Sequence, residues 1–577
     1  MSGAPEAAGD RPACPSRPTD TSRAELGFER RPMVRWLDPH QLVDTAVRVL
    51  VSGVFSSYAD SRELQALVPA EVLDRSAGSE LWLDYVADLG DGWNPTYTVA
   101  ALLAREKLEL ASEARAHLTE RGRILVMGGD AVYPVPTREE YENRMLGAYR
   151  SALPCVTGPD PGPELFAIPG SHDWFDGLVN FTSVFCRGRW IGGWKTRQRR
   201  SYFAVKLPHR WWLWGVDIQF GGYLDEAQLA YFHSVANDHL QAGDRIILCV
   251  AKEVEGGRDR DEVYSERDVD YIEREVVRPT GANVAVTLQS GKHHYCRYEE
   301  ADGPHQHLNS GGGGAFLHPT HHLPEEVERT GKAGPTRYRR VATYPSPATS
   351  RRLRKRVWLL TPYNLPLAGV FGAFQLLLAF MLGLHLRERH VSLSLRELWL
   401  AVWESPTAFL LLVLMVVSLA IMVRFAYEAS GLTRLLLGAV HAGLQFASVA
   451  GVMIAGSALV SDSGLTGAPS LLAFLASVTV LGGLAGTVGM SGYLWVTNCL
   501  GFHGNEAYAP LHHMDLKHFL RLHIDGDGVL WVYPVGIDRV GRHWEVRPED
   551  PVDAPWFVPS GPPPEPHLIE GPVRIGG

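Results

Sequence analysis

The chain has 577 residues, a formal net charge of −9, 46% hydrophobic residues and 21% charged residues. That length exceeds one compact core, so two to four folding units are expected. With 55 Lys and Arg against 64 Asp and Glu, the basic surplus of a dedicated nucleic-acid binder is missing, and no nucleic-acid partner is expected. Cys14, Cys155, Cys186, Cys249, Cys296 and Cys499 lie far apart with no CxxC pair. They suggest neither a disulfide framework nor a structural zinc, and point to a reducing compartment.

Residues 1–30 are rich in Pro, Gly, Ala and charge and read as a disordered tail without a secretory signal. From 34 to 345 short apolar runs are separated by Gly, Pro and Asp. Arg123–Met127, Leu165–Ile168, Trp211–Val216, Arg245–Val250 and Asn283–Leu288 have the length and composition of buried strands. Pro95–His117 and Glu139–Ser151 have helical periodicity. Strands alternating with helices predict an α/β layered domain.

Near 348 the character changes. The basic run Arg351-Arg352-Leu353-Arg354-Lys355-Arg356 precedes an apolar stretch at about 365–386, and three more follow at about 405–425, 433–459 and 468–500. Each is long enough to cross a hydrocarbon core of roughly 30 Å, so four transmembrane helices and a lipid-bilayer partner are expected. The basic run, with Arg424 and Arg434 in the second connector, belongs on the cytoplasmic side. Connector Val460–Ala468 has no basic residue and suits the outside. The first connector, with Arg387, Arg389 and Arg396, fits that scheme less well. The expectation is a multi-pass cell-membrane protein with cytoplasmic N- and C-terminal domains. Residues 501–577 read as a small α+β segment, with a helix at Leu516–Leu522, strands in Leu530–Val540 and a hairpin turn at Asp525-Gly526-Asp527-Gly528.

Acidic residues and histidines cluster just after the predicted strands, where open α/β sheets bind ligands. Asp88 and Asp91 follow Leu81–Val86. Gly129-Asp130 and Tyr133 follow Arg123–Met127. Gly170-Ser171-His172-Asp173 follows Leu165–Ile168, and Gly291-Lys292-His293-His294 follows Asn283–Leu288. Singly, an Asp-Gly after a strand is a turn and a histidine is a hydrogen-bonded side chain. In series, carboxylates and imidazoles on one rim suit a divalent metal such as Mn, Fe, Zn or Mg.

In order and spacing these segments resemble the calcineurin-like metallophosphoesterase superfamily, over roughly residues 80–320. Gly129-Asp130 with Tyr133 matches the family's G-D-x-x-Y. Gly170-Ser171-His172-Asp173 matches three positions of G-N-H-[D/E], and Gly291-Lys292-His293-His294 matches the first and last of G-H-x-H. Asp88 keeps the aspartate of D-x-H. Gly311–His321, GGGGAFLHPTH, is similar to a segment of membrane-anchored members. The resemblance implies a layered metallophosphoesterase-like β-sandwich flanked by helices and a phosphate-ester substrate. It also implies one or two divalent ions, held by bridging Asp130 with Asp88 and His294. His172 would protonate the leaving oxygen or stabilise the transition state, with Asp173 orienting it, while a metal-activated water attacks phosphorus.

The chain departs from the pattern at Gly90, Ser171, Ala251 and Lys292, mostly in the second metal's shell. Lys252 and Lys292 stand where that cation would sit and can supply a point positive charge. Such a site could hold one metal, bind phosphate through Ser171, Lys252 and Lys292 without cleaving it, or recruit Asp91, Glu253, His293 or His318. The expected function is therefore a membrane-anchored metal-dependent phosphoesterase, with a degenerate phosphate-ligand sensor or scaffold as the alternative. His503, His512, His513, His518 and His523 suggest an exposed juxtamembrane helix, and His441 suggests helix–helix hydrogen bonding.

Overall fold

The computed structural model describes residues 11–45, 47, 71–111, 116–158, 161–218, 224–252, 267–331, 334–388, 405–547 and 549–576. Glu253 and the connector residues Arg389 and Arg396 lie outside the described residues. The chain divides into two compact units. One comprises residues 1–34, 45–347 and 513–577, and the other residues 35–44 and 348–512.

The strands that frame the first unit are, in chain order, β1 (Leu81–Val86), β2 (Ile124–Met127), β3 (Glu164–Ala167), β4 (Trp211–Val216), β5 (Arg245–Val250), β6 (Asn283–Gln289), β7 (Lys517–Ile524) and β8 (Leu530–Ile537). β1, β2 and β3 are parallel neighbours in one sheet. β4, β5 and β6 are parallel neighbours in a second. Leu83, Tyr85, Ile124, Val126 and Phe166 of the first sheet share a core with Leu213, Ile247, Val286 and Leu288 of the second. Helix α1 (Trp93–Leu103) and the helical stretch 138–152 cover the far face of the first sheet, where Trp93, Tyr97 and Tyr149 pack on Leu125 and Met127. Helix α2 (Glu226–His239) covers the second through Phe232 and Val235, against Trp212, Trp214, Ile246 and Leu248. Both faces of these strands are buried, which explains why they read as continuous apolar runs rather than alternations.

Five expectations about the first unit are corrected. Residues 501–577 do not stand apart, since β7 pairs antiparallel with β1 on one side and β8 on the other, inside the first sheet. The helix expected at Leu516–Leu522 is part of β7. There Arg521, 0% exposed, donates through Nε to Asp84 Oδ1 at 2.8 Å, and Asp84 also accepts the Gly122 N–H at 2.9 Å. The Asp525–Gly528 turn does close the β7–β8 hairpin, with the Asp525 N–H bonded to the Val529 carbonyl.

The helix expected over Pro95–His117 stops at Leu103. Lys107–Ala111 and Ala116–Glu120 form an antiparallel pair instead, because Leu108 and Leu110 face inward with period two. The tail is not disordered where it is described. Leu26 and Phe28 are buried, and Arg17 bonds the carbonyls of Pro551, Ala554 and Pro555. Finally, Cys14 and Cys155 form a disulfide across 141 residues. Wide spacing hid it because the N-terminal segment runs back along residues 156–158, whose carbonyls accept from Arg11.

The second unit contains α3 (Leu365–Glu388), α4 (Pro406–Phe425), α5 (Gly431–Asp462) and α6 (Ala468–Cys499). The last three are each long and apolar enough to cross a membrane. A fourth span arises if α3 is joined to Pro347–Tyr363 across a 66° bend. Small residues bring the helices close. A Cβ on Gly483 would lie 2.4 Å from the Ala368 carbonyl oxygen. Gln445 Nε2 donates to the Gly486 carbonyl at 3.1 Å, and Gln375 Nε2 to Ser448 Oγ. His441 departs from expectation, since its ring nitrogens make no hydrogen bond and it stacks on Tyr493 at 4.2 Å.

The Asp84–Arg521 pair yields a stability prediction. Arg521→Met leaves a buried carboxylate uncompensated and should cost about 3–5 kcal/mol, whereas Arg521→Met with Asp84→Leu should recover most of that loss. Thermal unfolding of the detergent-purified chain, followed by circular dichroism, measures both.

Candidate functional site

The loops after β1, β2, β3, β5 and β6 all leave carboxyl ends of parallel strands, the edge where such sheets place ligands. The first two loops are matched. Asp88 and Asp130 both take the left-handed conformation, at φ 55° and 48°, a strained region that short acidic side chains tolerate best. The Asp88 N–H bonds the Gly129 carbonyl at 3.0 Å, and the Leu89 N–H bonds the Asp130 carbonyl at 2.9 Å. The two loops thereby run side by side.

Their carboxylates lie flat on glycine backbone. A Cβ on Gly170 would fall 2.2 Å from Asp130 Oδ1, and one on Gly311 would fall 2.2 Å from Asp88 Oδ2. No other residue type fits at either position without displacing a carboxylate. The glycine run 311–314 therefore serves close approach rather than a free loop: Gly313 and Ala315 donate to the Ala87 and Asp88 carbonyls.

Tyr133 joins the two acids. Its hydroxyl lies 2.8 Å from Asp88 Oδ1, 3.3 Å from Asp130 Oδ2 and 3.1 Å from His293 Nε2. His293 Nδ1 donates to the Phe316 carbonyl at 2.8 Å, which leaves Nε2 as the lone-pair nitrogen, 3.5 Å from Asp88 Oδ1. Asp88 also accepts the Gly291 N–H at 3.0 Å. Asp88 is 0% exposed and Asp130 6%. Burial pushes both carboxyls up to about 7, and the Asp88 charge adds to the rise at Asp130.

The remaining sequence candidates take other places. His172 donates its backbone N–H to Asp130 Oδ1 at 2.7 Å. Its Nδ1 lies 2.8 Å from the Pro134 carbonyl and so carries the proton there. Burial lowers its pKa, favouring the neutral ring. Pro134 rather than Asp173 orients the imidazole. Asp173 is buried and ties loops together, accepting from Tyr141 Oη at 2.5 Å, Gly170 N–H at 2.9 Å and Ala131 N–H at 3.1 Å. Ser171 Oγ reaches Asp130 Oδ2 only at 3.5 Å. Lys252 and Lys292 are partly exposed on abutting loops, since a Cβ on Gly291 would meet Ala251 O at 3.4 Å and Lys252 Cα at 3.8 Å.

His294 is buried, and neither of its ring nitrogens has a hydrogen-bond partner. No hydrogen bond or ion pair joins its ring to Asp88 or Asp130, so His293 is the imidazole brought to the carboxylates. His318 backs it, stacked at 4.2 Å, with Nδ1 accepting the His293 N–H at 3.0 Å. Asp91 instead ties Val34 to Phe316 through their N–H groups, both at 2.9 Å. Sequence reasoning puts His518 on an exposed juxtamembrane helix, away from the site. It lies on β7, is 0% exposed, and has Nδ1 2.1 Å from where a Gly312 Cβ would stand. No local signal marks it, because its position follows from the pairing of β7 with β1.

Among the described residues, no three His, Cys, Asp or Glu side chains are already spaced as a metal shell. Yet the donor chemistry at Asp88, Asp130 and His293 fits one divalent cation. Two buried carboxylates beside an imidazole lone pair, with the other nitrogen fixed by a carbonyl, are the usual hard-to-borderline set.

No protein-family model and no characterised protein sequence matches this chain. Solved structures similar to it include GAP50, described as the anchor in the inner membrane complex of Plasmodium. That likeness has 13% identity and a TM-score of 0.31, over 45% of this chain and 84% of that one. Purple acid phosphatase PPD1 from yellow lupin (Lupinus luteus) is similar at 11% identity and TM-score 0.28, over 42% and 46%. PhoD is similar at 10% and 0.28, over 42% and 59%. At these TM-scores the likeness assigns neither family nor activity to the chain.

Asp173→Ala would strand the Tyr141 hydroxyl and two backbone N–H groups. Each buried unpaired group costs about 1–3 kcal/mol, so the variant should lose several kcal/mol of stability by thermal unfolding. Phe in place of Tyr141 should lose much less.

Proposed function

We propose that the chain is a membrane-anchored phosphoesterase of the metallophosphoesterase type, working with a single divalent cation. The observation that carries this reading is the buried grouping of Asp88, Asp130 and His293 around the Tyr133 hydroxyl, at adjacent strand ends. Asp88, Asp130 and His293 would hold the cation, which when bound supplies Lewis-acid polarisation of a phosphate ester and of water. The chain's own residues do the rest. Gly170 and Gly311 keep the carboxylates in place. Pro134 holds the His172 proton on Nδ1, so Nε2 accepts a proton from an attacking water and can return it to the leaving oxygen. Lys252 and Lys292, on the rim, attract the phosphate and offset its charge. The layered sandwich and the order of the strand-end motifs support the same class.

A second reading is favoured by one observation: among the described residues, no three donors are spaced as a metal shell. In it the site binds phosphate on Ser171, Lys252 and Lys292 without cleaving it. Metal analysis and hydrolysis of an aryl phosphodiester by the purified chain separate the two. The enzyme reading expects about one bound cation and turnover, both lost in Asp130→Asn, with activity down at least 100-fold. If wild type and Asp130→Asn are equally metal-free and equally inert, the enzyme reading is wrong. Ser171→Asn with Lys292→His should raise activity if the second cation's shell can be rebuilt.

The three apolar helices support a membrane location, and the Arg351–Arg356 run supports a cytoplasmic soluble unit. The Cys14–Cys155 disulfide favours the opposite side, since such bonds persist in oxidising compartments. If the basic run decides, a Ser463→Cys variant in the third connector should react with an impermeant thiol reagent on intact cells. Labelling of that variant only after permeabilisation would reverse the orientation.

A further inference from the structure

Ahead of α3 the chain passes through the helical turns Pro347–Arg354, Lys355–Leu359 and Leu360–Tyr363, then bends by 66° into α3. The segment holds Arg351, Arg352, Arg354, Lys355 and Arg356 and contains no Asp or Glu. One side of it is fastened to the helix bundle. Val357 and Leu360 are buried, Thr361 Oγ1 donates to Thr487 Oγ1 at 2.9 Å, and Asn364 Nδ2 donates to the Pro510 carbonyl at 3.3 Å. The Arg354 guanidinium stands 5.9 Å from the centre of the Trp495 ring. The other side is exposed. It presents Arg351, Arg352, Lys355 and Arg356, then Trp358 at 50% exposure, Leu359, Tyr363 and Leu365 at 65%.

The rest of this end of the bundle has the same character. Phe425, at the end of α4, stacks on His503, just past α6, at 4.9 Å, and the His503 N–H bonds the Glu428 carboxylate. The connector between α4 and α5 thus lies at the end from which α3 starts, and it adds exposed Arg424 and Tyr427. The opposite connector, Val460–Ala468, carries Asp462 and no basic residue.

We propose that this bend is a binding surface for the headgroups of anionic phospholipids. Along the chain, cations come first, then Trp358 and Tyr363, then the apolar span. That order repeats the depth profile of a bilayer leaflet, with phosphate outermost, the aromatic belt beneath it and hydrocarbon below. The guanidinium forks match phosphate oxygens bidentately. The exposed Leu359 and Leu365 beside them argue against a nucleic acid or a soluble phosphopeptide, since neither would cover apolar side chains. A zwitterionic leaflet would satisfy the aromatic and apolar residues but bring no net negative charge to the clustered cations. Because both this surface and its partner are set by the second unit alone, the inference stands independently of the phosphoesterase reading.

The test uses the full chain in nanodiscs of phosphatidylcholine mixed with phosphatidylglycerol, with retained lipids identified by native mass spectrometry. Wild type should retain phosphatidylglycerol roughly tenfold above its share of the mixture, since each basic residue near such a surface adds attraction. The combined Arg351→Gln, Arg352→Gln, Lys355→Gln and Arg356→Gln variant should fall to the bulk share. A variant with Lys at all four positions should keep most of the enrichment, which separates lost charge from lost folding. Retention by wild type in bulk proportion, equal enrichment in the Gln variant, or equal loss in the Lys variant would each overturn the proposal. So would displacement of the retained lipid by inorganic phosphate, which would make free phosphate the ligand.

Discussion

The buried ion pair between Asp84 and Arg521 joins residues 437 apart in sequence, and the first unit depends on it. An isolated charge at either position would carry a desolvation penalty of several kcal/mol, so neither side chain is tolerable there without the other. The consequence is topological. Because Arg521 must reach Asp84, β7 has to lie against β1, and the residues after the helical bundle return to complete a sheet begun before it. Burial raises the Asp84 carboxyl, and Arg521 pulls it back only in part. β1 is also the strand whose end delivers Asp88. The clamp that closes the sheet therefore sets one half of the candidate site, and it carries His518 in against Gly312.

What could be read from the sequence follows the range of the forces involved. The parallel strands were legible because burial on both faces leaves an uninterrupted apolar run. The bundle helices were legible because their length and composition are intrinsic. The strand-end acids and histidines were legible as a series, since each sits a fixed few residues after its strand. The failures share one cause. Leu516–Leu522 has apolar residues at helical spacing, and only the long-range pairing with β1 decides for a strand. Lys107–Ala111 is rich in helix-forming Lys, Glu and Ala, yet its period-two burial prevails. The tail was read as too polar to pack, but Phe28 closes over Gly147 and Arg17 finds carbonyls near residue 555. Cys14 and Cys155 gave no warning at all. Within the site, the choice of His293 over His294 is equally non-local. The Phe316 carbonyl, from a later loop, fixes His293 Nδ1 and so leaves Nε2 to meet the Tyr133 hydroxyl.

The electrostatics of the site constrain what it can bind. Two carboxylates share one tyrosine hydroxyl, and that single hydrogen can satisfy only one of them at a time. Their raised pKa values, about 7 for each, mean that burying both as anions is costly, so near neutral pH the pair tends to retain a proton or to require a cation. A phosphate ester approaching two ionised carboxylates would be repelled by several kcal/mol at an effective dielectric near 20. A proton relieves that repulsion but supplies no attraction to phosphate. Lysines on the rim attract phosphate but lie where solvent weakens them. A divalent ion held by Asp88, Asp130 and His293 would remove the repulsion and supply attraction at once, and the lysines would then need only to guide the anion inward. The same reasoning separates the two functional readings physically. Without a cation, phosphate belongs on the lysine side, away from Asp88 and Asp130, and replacing either acid should leave its binding intact or strengthen it. With a cation, those acids are what phosphate binding requires.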